Sequence, residues 1–503
     1  MEQYILAHDF GTSGDKASLF TTEGVFIGSV TVNYDTHYSN GTWADQNPED
    51  WWNAFCKSNK ELLKSVDATA VLGVVFSGHY PGCIPVGEDG VALNNAIIWQ
   101  DARAEKEAKE ISEKTRDSDC GWRIDGTLVA ASTIATLLWL RNNKPTVYQK
   151  IHKVLICPND YIIEKLTGKY VVERSIADTS GFYDRNTGEW SSYMVEAAEI
   201  DPAILPVIHE PTDIIGIVPA NLTAETGLSE TTKVICGTSD GMCGNLGAGC
   251  LDPGDAYISG GSSAWVQVIF NKADVEEGEG YDGVLPGTVG LGDSMQAAGS
   301  SFSWMKNELC AVEQYRAEAE GKDVYDLINE TIATSPAGAK GVMFLPHMMG
   351  ERAPRWNPKA KGSFVGLSLE TKRADMIRAV AEGIAFNLNV ILRSARKYGE
   401  VPRLIMVGGL AKGKEVRQIF ADIMNAEIIM LDHMDDLTSM GAAVIGGMAL
   451  GIYEDVYAIR QFHKIIDVRK PNAETRAVYE KMEVLYDKMY FAQEPLFEAW
   501  ANL

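Results

Sequence analysis

Residues with chemical potential cluster in one short segment near the start of the chain, HDFGTSGDKASLF (residues 8–20). Its turn consists of Gly11, Thr12 and Ser13. Backbone amides and hydroxyls in such a turn can converge on an anion. Asp9 beside it would repel a phosphate unless a cation such as Mg²⁺ lies between them, and Lys16 can offset phosphate charge. The segment predicts a phosphate site, with a plain hairpin and a surface lysine as the alternative.

A second acid, Asp240, follows an apolar strand predicted at residues 233–236 and lies among glycines in VICGTSDGMCGNLGAG. Acids at the carboxyl end of a strand lie where open α/β sheets bind ligands. An aspartate that caps the first turn of a helix explains the same pattern. The local residues leave both roles open.

Two further small-residue turns occur, SGGSS at residues 259–263 and VGGLAKG at residues 407–413. Each follows a predicted strand, and the second opens an amphipathic helix. The chain contains no G-x-x-x-x-G-K-[ST] motif, and the dinucleotide fingerprint is absent at the first strand. Three such turns together favour phosphate binding of another kind.

The elements that must position these residues alternate between strands and helices, which favours an α/β architecture. Strands are predicted at residues 4–8, 16–21 and 25–32, and helices include residues 48–65 and 374–393. The strand, turn and strand of the opening segment recur near residue 255. The chain is therefore predicted to contain two related halves.

Composition narrows the classes of function. The 503 residues carry a net charge of -24, which argues against nucleic acid or an anionic membrane as the main partner. No run of about 18 apolar residues predicts a membrane span. The eight cysteines, without a secretory signal, indicate a reducing compartment, and we expect a cytoplasmic protein. The even spacing of Cys236, Cys243 and Cys250 is not that of a zinc site, so buried thiols are expected.

Taken together, six segments resemble the FGGY carbohydrate kinases, and within that family most nearly the xylulokinases. They occur in the family's order over nearly the whole chain. The segments are HDFGTSGDKASL, GTWADQNPEDWW, AIIWQDAR, CGTSDGMCGNLGAG, FLPHMMGERAPRWNPKAKGSFVGL and MVGGLAKGKEVRQIFADI.

The resemblance implies a fold. Two actin-like, ribonuclease H-like ATPase domains of the sugar kinase, heat-shock ATPase and actin superfamily would face a cleft. Residues 1–246 would form the mainly sugar-binding domain. Residues 247–503 would form the mainly ATP-binding domain and end in helices.

The resemblance also implies roles for single residues. Asp240 would be the general base that takes the proton of the attacking sugar hydroxyl, and Asp9 would hold Mg²⁺. Phosphate contacts would come from Gly11, Thr12, Ser13, Lys16, Gly261 and Ser262. Adenosine contacts would come from Gly299, Ser303, Gly408, Gly409 and Lys412. The sugar would meet His79, Tyr80, Trp99, Gln100, Asp101 and Asp240. Asp15 receives no role and is expected to be an exposed turn residue.

Two departures from the xylulokinase pattern leave the substrate open. His79-Tyr80-Pro81-Gly82 replaces Gln-Met-His-Gly, and Thr136 stands where relatives tend to have a lysine. A pentulose such as D-xylulose is the expected substrate. Another polyol, a tetritol, a gluconate-like acid and an autoinducer-type furanone are the alternatives.

Two other classes of function stay open at this point. One is a sugar-responsive binding protein without catalysis, and the other is an actin-like or heat-shock-type ATPase. The expected partners are a small sugar and ATP, without nucleic acid or membrane. The oligomeric state is open, with a homodimer as one option.

Overall fold

The computed structural model describes residues 2–121, 123–124, 126–276 and 279–501, with Ile124 and Ala501 described for their backbone only. The chain forms two compact units. Unit 1 contains Met1–Gly247 and Asp436–Phe462, and unit 2 contains Ala248–Asp435 and His463–Leu503. The predicted division assigned Asp436–Phe462 to the second domain, whereas this segment packs in unit 1.

The first half of the chain contains eighteen strands within the described ranges. They are β1 Tyr4–Phe10, β2 Gly14–Thr21, β3 Phe26–Asn33, β4 His37–Ser39, β5 Trp43–Gln46, β6 Val71–Gly78, β7 Ile84–Val86, β8 Ala96–Ile97, β9 Arg123–Ile124, β10 Thr127–Leu128, β11 Lys153–Leu155, β12 Val171–Glu173, β13 Tyr183–Asp184, β14 Glu189–Trp190, β15 Val207–His209, β16 Ile214–Ile217, β17 Lys233–Ile235 and β18 Thr238–Ser239. Its helices are α1 Pro48–Leu62, α2 Glu105–Lys114, α3 Thr133–Asn143, α4 Pro145–Tyr148, α5 Pro158–Thr167, α6 Arg174–Thr179, α7 Ser192–Ala198, α8 Thr223–Thr226 and α9 Asp240–Gly247.

The second half continues the same alternation. Its strands are β19 Ala256–Gly260, β20 Ala264–Asn271, β21 Tyr281–Asp282, β22 Thr288–Met295, β23 Met343–Leu345, β24 Ser363–Val365, β25 Arg403–Val407, β26 Glu427–Leu431 and β27 Ile465–Arg469. Its helices are α10 Gly299–Leu309, α11 Ala311–Glu320, α12 Val324–Ala333, α13 Arg373–Ala395, α14 Lys414–Met424, α15 Leu437–Ala449, α16 Ile459–Phe462 and α17 Ala473–Ala501. Short 3₁₀ turns lie at Ala68–Ala70, Pro202–Ile204, Ala220–Leu222, Lys272–Asp274, Ala339–Gly341, Arg396–Tyr398, Gly409–Lys412, Met434–Asp436 and Val456–Ala458.

The central sheets of the two units share one connectivity. Unit 1 has the strand order β16-β17-β6-β1-β2-β3, with β18 also paired to β6. Unit 2 has the order β21-β22-β20-β19-β25-β26-β27. In each sheet an antiparallel hairpin, β1-β2 or β19-β20, pairs in parallel with a later strand, β6 or β25. The shared pattern agrees with the two related halves predicted from the repeated turns.

Helix α1 and the first hairpin form the base of unit 1. The Asn47 side chain accepts a hydrogen bond from the Glu49 amide, and Pro48 occupies the first helical position, as helix starts favour. Trp51 and Phe55 on this helix are buried in one core cluster with the strands β1, β2 and β6. The helix thereby covers one face of the hairpin.

Helix α15 belongs to unit 1, although it comes late in the chain. Its glycines allow it to pack closely against α9 and β6. A Cβ built on Gly441 would lie 2.0 Å from the Cys243 carbonyl oxygen of α9. A Cβ on Gly446 would lie 3.0 Å from a methyl carbon of Val75 on β6. No helix in the described part of the chain is both long and apolar enough to cross a membrane.

Candidate active site

Asp9 and Lys16 are direct neighbours on the first hairpin. They face each other across the antiparallel strands β1 and β2, so their side chains lie on one face of the sheet. On its other side Asp9 pairs with Ser77 of β6, whose hydroxyl donates a 2.9 Å hydrogen bond to the carboxylate. Burial raises the pKa of Asp9 to about 6, although Ser77 and Lys16 oppose the rise. Asp9 is thus a fixed carboxylate that a cation would stabilise in its charged form.

The turn after Asp9 is held from outside through its carbonyl oxygens. The Thr12 carbonyl oxygen accepts hydrogen bonds from the Gln46 side-chain amide at 2.7 Å and from the Thr36 hydroxyl at 3.1 Å. The Gly11 amide donates 3.0 Å to the Gly14 oxygen, which closes the turn. The Thr12 hydroxyl accepts a 3.1 Å hydrogen bond from the indole of Trp99. These contacts fix the turn on the same hairpin that carries Asp9.

Asp240 reaches the same edge of the sheet from a different strand. Ser77 of β6 pairs with Asp9 on one side and with Thr238 of β18 on the other, two residues before Asp240. Burial and then the charge of Asp9 raise the pKa of Asp240 to about 7. The two carboxylates therefore act on each other electrostatically.

The helix cap proposed as the alternative role of Asp240 is made by its neighbour. The Ser239 hydroxyl accepts a 3.3 Å hydrogen bond from the Met242 amide in the first turn of α9. Asp240 accepts from the adjacent Gly241 amide at 2.7 Å. Because Ser239 receives the amide of the helical turn, a capping function is not needed to explain Asp240.

Strand β18, which ends immediately before Asp240, is held in place by polar contacts. The Thr238 hydroxyl donates 2.8 Å to Glu173, which also receives the Ser175 hydroxyl. The Asn159 amide donates 3.0 Å to the Thr238 carbonyl oxygen. Glu173 and Asn159 are both buried. This support fixes the backbone immediately before Asp240.

Tyr80 lies beside Asp240. Its hydroxyl is hydrogen-bonded to the Ser239 side chain, and the charge of Asp240 adds to the effect of burial in raising the pKa of Tyr80. A Cβ built on Gly241 would lie 3.3 Å from the same hydroxyl. The Tyr80 hydroxyl therefore lies next to Asp240, and its contact with the sugar stays a prediction.

The second unit brings its two small-residue turns together. Strands β19 and β25 are parallel neighbours, and their ends lead into Gly261 and Gly408. Gly408 has a φ of +83°, and a Cβ there would lie 2.6 Å from the Gly260 oxygen, so only glycine fits without strain. The amide of Gly299 at the start of α10 donates 3.0 Å to the Gly261 oxygen. Unit 2 thus gathers three predicted nucleotide contacts around one backbone junction.

The other predicted contacts of unit 2 lie on the chain segments that adjoin this junction. The Ser262 oxygen accepts from the Ser300 amide at 3.0 Å, and Ser303 lies one turn further along α10. Gly409 begins the 3₁₀ turn that ends at Lys412. The exposed Lys412 ammonium lies 3.4 Å from Asp435.

Family comparison identifies the fold. Residues 4–247 match the model of the FGGY family of carbohydrate kinases, N-terminal domain, and residues 256–450 match the C-terminal domain of the same family. The chain belongs to the FGGY family of carbohydrate kinases. It is therefore a sugar kinase with the two-domain α/β fold of the sugar kinase and actin-like ATPase superfamily.

Individual relatives agree on the family and differ in their sugars. This FGGY kinase is 29% identical to a xylulose kinase of Staphylococcus epidermidis over 502 residues, covering 97% of each chain. It is 28% identical to a gluconokinase of Bacillus licheniformis over 506 residues, covering 100% of this chain and 98% of the relative. The structure matches a ligand-bound xylulose kinase from Lactobacillus acidophilus with a TM-score of 0.86, 26% identity and coverage of 99% and 100%.

Two of the residues assigned to the sugar are buried in this FGGY kinase. His79 is only 3% exposed, and its Nε2 lies 3.2 Å from the Gln46 side-chain oxygen, with burial lowering its pKa to about 4. Asp101 is 3% exposed and accepts from the Ala44 amide at 2.6 Å and the Arg103 Nε at 2.8 Å. Both side chains are engaged in the protein interior, where they position neighbouring segments.

The other two residues of the Trp-Gln-Asp segment are accessible. The Trp99 side chain is 39% exposed while its indole nitrogen holds Thr12. Gln100 is exposed, and its oxygen accepts a 2.8 Å hydrogen bond from the Tyr38 hydroxyl. An indole face and an amide at this position suit a sugar's C–H face and hydroxyls.

The expected exposure of Asp15 is wrong. Asp15 is completely buried, and its carboxylate accepts hydrogen bonds from Ser58 at 2.7 Å and from His8 at 3.0 Å. The partners Ser58 and Asp15 are 43 residues apart in the chain, so the local sequence does not reveal the contact.

Sequence reasoning also missed Ser77, Gln46 and Glu173. Ser77 had a usable signal, since it is a polar residue at the carboxyl end of the apolar run VLGVVF, like Asp240 after its own strand. Gln46 and Glu173 had none, because they act through contacts distant in the chain.

Proposed function

We propose that this kinase transfers the γ-phosphoryl group of ATP to a hydroxyl of a small neutral sugar, with a pentulose such as D-xylulose as the first candidate. The observation that carries the proposal is the placement of Asp9 and Thr238 on the two strands that flank Ser77, with Asp240 two residues further on. In this proposal unit 1 supplies the mainly sugar-binding part and unit 2 the mainly ATP-binding part.

Asp240 acts as the general base. In phosphoryl transfer the protein contributes mainly positioning and charge neutralisation, and an oriented carboxylate accepts the hydroxyl proton as the bond to phosphorus forms. A pKa of about 7 suits this role, because the carboxylate is available at neutral pH and still basic enough to take a proton. Tyr80, beside Asp240, orients the same hydroxyl or its neighbour.

Asp9 and the first turn hold the reacting phosphate. The residues at this edge fit Mg²⁺, because it is usually held by one or two carboxylates together with substrate phosphates. The described residues contain no cluster of three or more His, Cys, Asp or Glu that could hold a metal unaided. Bound Mg²⁺ would neutralise phosphate charge. Lys16 and the amides and hydroxyls of Gly11, Thr12 and Ser13 bind the terminal phosphates.

Unit 2 carries the other residues assigned to the nucleotide. The glycines at its backbone junction allow a phosphate or a ribose to approach the main chain closely, which side chains would prevent. The residues assigned to this task are Gly261, Ser262, Gly299, Ser303, Gly408, Gly409 and Lys412.

Charge favours a neutral sugar over a sugar acid. The charges of Asp9, Asp240 and Glu173 act on the pKa values of Asp240 and Tyr80, and no lysine or arginine of the described residues is among the main causes of either shift. A carboxylate on the substrate would add to this negative potential. The similarity to a gluconokinase makes a sugar acid the second candidate.

A substrate panel tests the proposal. ADP release is measured with D-xylulose, other pentuloses, a tetritol, D-gluconate and an autoinducer-type furanone, each with and without Mg²⁺. We expect Mg²⁺-dependent release stimulated most by a neutral ketose. A preference for D-gluconate would overturn the neutral class, and release without any sugar acceptor would overturn the assigned transfer.

A further inference from the structure

The first hairpin carries a second pair of polar side chains, His8 and Asp15, that the proposed reaction does not use. His8, Asp15, Ser58 and Asn59 are all completely buried. His8 Nδ1 lies 3.0 Å and 3.1 Å from the two Asp15 oxygens, and the Ser58 hydroxyl donates 2.7 Å to the second of them. On the other side of the ring, His8 Nε2 lies 2.8 Å from the Asn59 side-chain oxygen.

This cluster joins both strands of the hairpin to helix α1. His8 belongs to β1, Asp15 to β2, and Ser58 and Asn59 to α1. Because a carboxylate can only accept, His8 Nδ1 carries the proton of the short contact. Three elements are therefore fixed to one another by directional hydrogen bonds and not by apolar packing alone.

The buried pair lies directly behind the pair assigned to the phosphate. His8 and Asp15 each immediately precede a member of the other pair, Asp9 and Lys16. Successive side chains of a strand point to opposite faces of the sheet. One face of the hairpin thus presents Asp9 and Lys16, while the other is held by His8 and Asp15.

Stability alone is a poor explanation for such a cluster. Replacing two buried hydrogen-bonding partners by apolar groups of the same shape can be nearly neutral or even stabilising, because polar groups lose their hydrogen bonds to water on burial. The hairpin already has apolar anchors in Leu6, Phe10 and Leu19, which are all completely buried. What directional contacts add is a defined position of the two strands against α1.

We propose that the His8–Asp15 pair, together with Ser58 and Asn59, positions the hairpin so that Asp9 and Lys16 meet the terminal phosphate of ATP. These are positioning residues, since they act through the backbone of β1 and β2. The inference rests on the proposed function, in which the hairpin binds the terminal phosphates.

The substitution Asp15→Asn tests this role because it keeps the side-chain shape and removes the charge. Misplacement of a positioning group by about 1 Å can cost about 10²-fold in rate. We expect kcat to fall by about 10- to 100-fold on that ground. We also expect the preference for ATP over ADP to decrease, because only ATP presents the phosphate that the hairpin meets.

Two further variants separate positioning from folding. Ser58→Ala removes one of the contacts to Asp15 and should shift the ATP to ADP affinity ratio in the same direction by a smaller factor. Asp375→Asn is the matched control, because the buried Asp375 also accepts from a serine hydroxyl, Ser335 at 2.7 Å, and from a cation, Lys340 at 3.2 Å. This control should lower the melting temperature without changing the affinity ratio.

Nucleotide binding, measured by calorimetry without sugar, gives the decision. A reduced ATP to ADP ratio in Asp15→Asn and Ser58→Ala, with the ratio kept in Asp375→Asn, supports the positioning role. An unchanged ratio and kcat in Asp15→Asn would refute it, as would a parallel loss of ATP and ADP affinity. If Asp15→Asn does not fold, Ser58→Ala decides alone. Failure of the wild-type protein to bind ATP would instead refute the proposed function.

Discussion

The turns of the two equivalent hairpins, β1-β2 in unit 1 and β19-β20 in unit 2, follow the same pattern of strands but differ in charge. In unit 1, Asp9 stands two residues before Gly11 and faces Lys16 across the hairpin. At the equivalent place in unit 2, Ser259 stands two residues before Gly261 and faces Trp265. Both hairpins have a parallel neighbour on the same side. The first turn is thus suited to a reacting, charged group, and the second to close backbone contact.

In the proposed function this difference lets one fold unit serve two tasks. In unit 1 the ends of the strands carry Asp9, Lys16 and Asp240, and the cost of burying acids appears as raised pKa values. In unit 2 the equivalent ends carry glycine and serine, and Gly408 adopts a backbone conformation closed to other residues. Active sites accept such local costs where the function requires them.

The largest expected effect separates the two turns directly. Asp9→Asn should lower kcat by about 10²- to 10³-fold, the range for removing one electrostatic contact to a transition state. Ser259→Ala, its counterpart in unit 2, should change kcat by less than about threefold, because it removes no charge. Steady-state ADP release at saturating substrates measures both. Equal losses in the two variants would contradict the division of tasks.

The pH dependence of the reaction tests the state of Asp240. Its pKa of about 7 lies above the usual range, and the base must be deprotonated to act. Because kcat/KM reports the free protein, we expect kcat/KM for the sugar to rise by about tenfold for each pH unit up to about 7 and then to level off. The range from about pH 5 to about pH 8 includes the pKa of Asp240. A rate that is constant over this range would exclude Asp240 as the titrating group.

Gly408, in the turn that follows β25 in unit 2, is a position where an added methyl group should weaken ATP binding. Gly408→Ala places a Cβ near the Gly260 oxygen at a positive φ, which costs about 1–3 kcal/mol. Each kcal/mol lowers the melting temperature by roughly 2–4 °C in a domain of about 150–250 residues. KM for ATP should rise several-fold with kcat nearly kept. Gly451→Ala, also at a positive φ but with nothing within 4 Å, is the control and should leave KM unchanged.

A stability measurement gives the smallest effect. The pKa of Asp240 is raised in the folded protein, so its charge destabilises the fold increasingly as the pH rises from about 4 to about 7. Asp240→Asn removes this charge and should raise the melting temperature at pH 8, with the difference vanishing near pH 4, about the unfolded pKa. A variant that is less stable at pH 8 would contradict the assigned burial cost.

Local sequence predicted the turns and the two acids because the signals lie within a few residues. Strand, glycine turn and strand give the hairpins, and an acid after an apolar strand gives Asp240. The local sequence did not predict contacts between segments that are distant in the chain. Asp15 looks like an exposed turn acid in the sequence, but Ser58 of helix α1 donates a hydrogen bond to its buried carboxylate. The contacts of Asp101 with Ala44 and Arg103 are likewise not visible in its local sequence.

The return of the chain to unit 1 escaped prediction for the same reason. Helix α15 packs against α9 through Gly441 and Cys243, which are far apart in sequence. Nothing in the residues of α15 specifies its partner, because an apolar, glycine-containing helix fits many surfaces. The sugar preference is similarly undecided locally, since His79 turns out to be buried while Tyr80 borders Asp240.

In the proposed reaction Asp240 accepts the proton of the sugar hydroxyl. The most direct test compares sugar-stimulated ADP release by the wild-type protein and by Asp240→Asn, with ATP affinity measured on both by calorimetry. Phosphoryl transfer should fall by at least about 10²-fold, the lower range for general base catalysis, while ATP affinity should change by less than about threefold. An Asp240→Asn protein that still phosphorylates the sugar at a rate near that of the wild type would contradict this role of Asp240.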